Sequence, residues 1–83
     1  MKNGKTRISL YSNDGSGGRI SFWTDEKSVL KNDSLEERRK LIASAMNSDK
    51  VDIRIRKGAV DIRKKLKGIA AGIAVARWLK KNM

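Results

Sequence analysis

Three short segments alternate apolar and polar residues with a period of two, and that rhythm limits what the chain can become. In residues 5–11 (KTRISLY), Thr6, Ile8 and Leu10 fall on one side and Arg7, Ser9 and Tyr11 on the other. Residues 19–23 (RISFW) set Ile20 and Phe22 against Arg19, Ser21 and Trp23. Residues 51–56 (VDIRIR) set Val51, Ile53 and Ile55 against Asp52, Arg54 and Arg56. Such alternation marks half-buried strands. SNDGSGG, residues 12–18, joins the first two with residues that tolerate tight turns and positive φ, so a β-hairpin is expected there.

Helical spacing appears twice. Ser34 stands three residues before Glu37, the capping-box separation, and Leu35, Leu41, Ile42, Ala45 and Met46 share one face of a helix ending near Asn47. Residues 24–30 fit either a short turn capped by Thr24 or an extended segment, and Lys31-Asn32-Asp33 reads as a loop. After Lys57-Gly58, the spacing of Ile62, Leu66, Ile69, Ile73 and Ala76 predicts one long helix from residue 59 or 60 to about residue 81. Ala71, Val75, Trp78 and Leu79 form a second apolar patch on its opposite side. The expected fold is a single basic α+β domain over 1–83 of order β-β-α-β-α. A three-stranded sheet packs on two helices, residues 1–4 form a flexible N-terminus, and 12–18 form the hairpin loop.

Charge narrows the function. The 83 residues hold 20 Lys plus Arg against 9 Asp plus Glu, a formal net of +11. Residues 48–83 contribute eleven basic and three acidic residues, so the excess lies where the apolar periodicity is strongest. Basic tails lack such patterning, so the cations ride on folded elements. The absence of Cys and His excludes disulfides, zinc modules of the usual ligands, and imidazole or thiolate catalysis. No cofactor is expected. No apolar run approaches the roughly 20 residues that span a bilayer, no secretory leader is visible, and a reducing, cytoplasmic setting is expected.

On a three-stranded sheet whose apolar side meets the helices, the other side presents Arg7, Tyr11, Arg19, Trp23, Lys50, Arg54 and Arg56. Cations neutralise phosphates and aromatic rings stack on bases, so this surface suits single strands or exposed loops of nucleic acid. Arg63, Lys64, Lys65 and Lys67 form a second basic cluster, expected on the long helix, where they would lie across a phosphate backbone or in a major groove. The same side chains also serve as the solvated side of a small domain. Gly68, Ala71, Gly72, Val75, Trp78 and Leu79 offer either intramolecular packing or a homodimer seam.

The reading is a non-enzymatic nucleic-acid-binding protein of low sequence specificity, DNA slightly ahead of RNA, acting as an accessory or regulatory factor in a bacterial or viral setting. The alternative is an interaction or inhibitor module that docks an acidic protein surface. Two lesser readings are a ribonuclease built on Tyr11, Arg7, Arg19 and Arg54, and a membrane-surface helix centred on Trp78. The carboxylates give no catalytic pair: Glu36 and Glu37 have a capping explanation, and Asp49, Asp52 and Asp61 are scattered.

Overall fold

A computed structural model describes residues 5–13, 17–25 and 35–82. Residues 1–4, the hairpin tip at 14–16, the rest of the open stretch to residue 30, the expected loop at 31–33, the expected cap Ser34 and Met83 lie outside the described residues. The element order is β1 (Thr6–Tyr11), β2 (Arg19–Thr24), α1 (Leu35–Met46), β3 (Val51–Lys57), β4 (Val60–Leu66) and α2 (Gly68–Asn82). The strands form one antiparallel sheet in the order β1-β2-β3-β4. Thr24 is the last residue of β2.

The fold class is α+β as expected, with one correction. The sheet has four strands, because residues 60–66 form β4 and not the first half of a long helix. Two backbone features enforce this. Gly58 adopts a φ of +59° in the two-residue turn between Lys57 and Val60, the left-handed conformation that tight hairpin turns require. Gly68 adopts a φ of +60°, so the chain breaks there and α2 starts with only Lys67 between it and the end of β4. With β3 available as a template, residues 60–66 pair with residues 51–57 along their whole length.

Cross-strand register fixes the two faces. Ile8 opposes Phe22 and Leu10 opposes Ile20; Ile20 opposes Ile53, and Phe22 opposes Val51. Farther along, Val51 opposes Leu66 and Ile55 opposes Ile62. Both helices lie on this apolar face. Leu41 and Ala45 of α1 and Ala71, Val75 and Leu79 of α2 complete the buried core with Ile20, Phe22 and Val51. The helices touch through small residues. Ser44, Ala45 and Ala71 are wholly buried, and a side chain on Gly72 would run into Met46.

The second correction concerns the candidate dimer seam on α2. Ile69 and Ile73, on the other apolar stripe of the helix, are 70% and 49% exposed. Ala71, Gly72, Val75 and Leu79, the candidate dimer seam, are buried inside the chain, and Trp78 packs against the core half-buried. Without residues 60–66 in the helix, the Ile62–Leu66–Ile69–Ile73 stripe loses its first half. The narrower small-residue side then fits closest to α1.

At the opposite end of α2 the backbone N–H of Asn13 donates to Asn82 Oδ1 at 3.2 Å, and the Asn13 side-chain amide donates to the Asn82 carbonyl. The first hairpin is thereby clasped to the last turn of the helix. Among the described residues no helix is long and apolar enough to cross a membrane.

Candidate nucleic-acid interface

Strand alternation puts on the face away from the helices what it withholds from the core. Arg7 lies opposite Trp23, Tyr11 opposite Arg19, Arg19 opposite Arg54, and Arg54 opposite Arg63. Tyr11, Arg19, Arg54 and Arg63 thus form a row across all four strands, with neighbours about 4.8 Å apart along the hydrogen-bonding direction. The next row carries Ser9, Ser21, Asp52 and Lys65, and Arg56 lies opposite Asp61. The face holds six cations and two carboxylates.

The cations are not equivalent. Arg54 donates to both carboxylate oxygens of Asp61, from Nε at 3.2 Å and from a terminal nitrogen at 3.0 Å. Arg63 approaches the same carboxylate at 3.5 Å. The Arg54 hydrogen bonds, with help from the Arg63 charge, hold the Asp61 carboxyl below its ordinary pKa. A depressed carboxyl pKa contributes stability above the ordinary carboxylate range, and the contribution is lost as pH falls through the lowered value. Arg19, Arg56 and Lys65 have no carboxylate partner among the described residues, and Arg7 sits over the Trp23 ring at 5.9 Å from its centroid. That distance is within cation–π reach, so Arg7 partly covers the indole. Tyr11, 62% exposed, is the open ring.

Tyr11, Ser12, Arg19, Arg54 and Arg56 line a cleft of about 330 Å³ where the face meets the first hairpin loop. Its floor is a tight backbone approach. Gly17, at φ +79°, accepts a hydrogen bond from the Arg56 N–H at 3.4 Å. A Cβ there would lie 2.7 Å from the Arg56 carbonyl oxygen. Beside the arginines, Asp52 keeps one carboxylate oxygen buried without a hydrogen-bond partner among the described residues, an acceptor set among donors. At the other end of the sheet Lys5 binds Asp49 at 2.6 Å. This hydrogen bond raises the Lys5 pKa and lowers that of Asp49.

Arg7, Tyr11, Arg19, Trp23, Arg54 and Arg56 therefore share one face. Lys50 is exposed just ahead of β3. The second basic cluster divides. Arg63 and Lys65 join the open face, Lys64 turns to the helix side with its partner Ile53, and Lys67 sits at the corner before α2. Sequence reasoning assigned no role to Asp61, the carboxylate that organises Arg54 and Arg63. The alternation of Val60 and Ile62 with Asp61 and Arg63 was the available signal.

Comparison with protein-family models, with curated proteins and with solved structures finds no match to this chain.

Proposed function

We propose that this protein binds single-stranded nucleic acid without chemistry, DNA ahead of RNA, through the open face of its sheet. One observation carries the reading: six cations and the exposed Tyr11 share a face that neither α1 nor α2 covers. Phosphates lie along the arginine row and an unpaired base stacks on Tyr11. A duplex hides its base faces, and a sheet that presents one open ring favours strands whose bases are free. The contacts are to charge and to π-surface, so sequence preference is weak.

The test is fluorescence anisotropy with single- and double-stranded oligonucleotides at several salt concentrations. The four cations without a carboxylate partner among the described residues imply a log–log salt slope of about −3, at roughly 0.7 per phosphate on a single strand. Tyr11→Ala is expected to weaken binding by about 1–3 kcal/mol, while Tyr11→Phe retains it. Replacing Arg54 and Arg56 with alanine weakens binding and flattens the slope. Unchanged binding after that double change would remove the sheet face from the mechanism. RNA incubated with the wild type and Tyr11→Phe stays intact in both, which separates binding from cleavage by the Tyr11 cluster.

A further inference from the structure

The helix side of the sheet carries a surface that nucleic-acid binding does not use. Every residue from 55 to 65 is exposed, so the β3–β4 hairpin is an arm reaching past the helices. On its helix side Ile55, Val60 and Ile62 are apolar, with Lys57 and Lys64 on the same side. Between this arm and α2 runs a groove of about 490 Å³. Its floor is Ile53 and Ile55, and Ile73 and Trp78 form its α2 wall. The α2 residues that line it fall at helical spacing on a second stripe, separate from the stripe that packs on α1. An exposed apolar strip of this kind on a chain with a net charge of +11 calls for an occupant.

Charge decides which occupant. All the ionisable residues that line the groove are basic: Lys64, Arg77 and Lys81. A second copy of the chain would bring these cations against their own kind, on top of the repulsion between two strongly positive molecules. An acidic partner meets no such penalty. The groove runs alongside a helix, over a strip of branched aliphatic side chains. It therefore suits an amphipathic helix that lays its apolar stripe on Ile55 and Ile73 and its flanking carboxylates on the rim.

We propose that the groove between α2 and the β3–β4 arm docks an acidic amphipathic helix of a partner protein, on the opposite side of the sheet from the nucleic-acid face. The two ligands would then be held back to back across one layer of backbone.

The probe is a pair of synthetic 16-residue helical peptides with the same leucine stripe, flanked by glutamates in one and by lysines in the other. Binding is read from Trp78 fluorescence in a Trp23→Phe background. The glutamate peptide is expected to saturate the signal and to bind at least tenfold more tightly than the lysine peptide. Ile73→Glu should abolish its binding and leave oligonucleotide binding intact, so failure here is distinct from failure of the nucleic-acid reading. Arg77→Glu combined with Lys81→Glu should weaken the glutamate peptide roughly tenfold. The same charge change made on the open face, Arg7→Glu with Arg19→Glu, should weaken it far less. Circular dichroism confirms that each variant folds. Equal loss from both double variants would reduce the effect to overall charge and overturn the proposal. So would a dimer in sedimentation that Ile73→Glu dissolves, which would make a second copy the occupant. Ile73-dependent binding to phosphatidylserine vesicles with no peptide binding would make it a lipid surface.

Discussion

Asp61 draws Arg54 and Arg63 onto one carboxylate, and in doing so it withholds two cations from a ligand. Asp61→Asn should therefore strengthen oligonucleotide binding several-fold and steepen the salt slope by about 1.4, since each of the two freed cations adds roughly 0.7. Acid reproduces this effect only below the depressed Asp61 pKa, so the wild-type affinity should stay level from neutral pH down to the ordinary carboxylate range. Anisotropy at fixed ionic strength across pH measures both. Two glycines make a second single-site contrast. Gly17 has a left-handed φ and backbone within contact of its missing Cβ, whereas Gly58 has a left-handed φ and open space around it. Gly17→Ala should cost about 2–4 kcal/mol and Gly58→Ala about 1 kcal/mol in urea unfolding, the difference being the backbone clash.

The two stripes of α2 give the element its test. Leu79 is 1% exposed between helix and sheet, so Leu79→Ala should lose about 2–5 kcal/mol. Ile69→Ala, on the outer stripe, should change stability by less than about 0.5 kcal/mol. The reverse order would restore the inward face that the bare apolar spacing suggests. That spacing shows why α2 was half legible. Strands β1, β2 and β3 and helix α1 follow from alternation and from a clean apolar face, because each pattern fits one period only. Residues 60–76 fit two. Ile62, Leu66, Ile69 and Ile73 have helical spacing, while Val60, Ile62 and Leu66 alternate with charges, broken only by Lys64. What settles the matter is non-local: β3 provides a strand to pair with, and Gly68 turns the chain. The open-face residues of the first three strands were readable for the same reason that the strands were. Arg63 and Lys65 could be placed beside them only once β4 was known.

Charge acts on the molecule as a whole in opposite directions for stability and for binding. Repulsion among the surplus cations opposes compaction, and dissolved salt screens it. The thermal midpoint should rise by a few degrees between low salt and about 0.3 M NaCl, over the same range in which oligonucleotide affinity falls. Scanning calorimetry and anisotropy on one sample series would show the two trends crossing. The clasp between Asn13 and Asn82 ties the first hairpin to the end of α2 across 69 positions, and α2 provides Ala71, Val75 and Leu79 to the core. Translation delivers the chain from its N-terminal end. All four strands and α1 therefore emerge before α2, the last part of the roof over the sheet. A nascent copy passes through an interval with half of its greasy slab bare. Crowding on the polysome is then a circumstance that favours clumping.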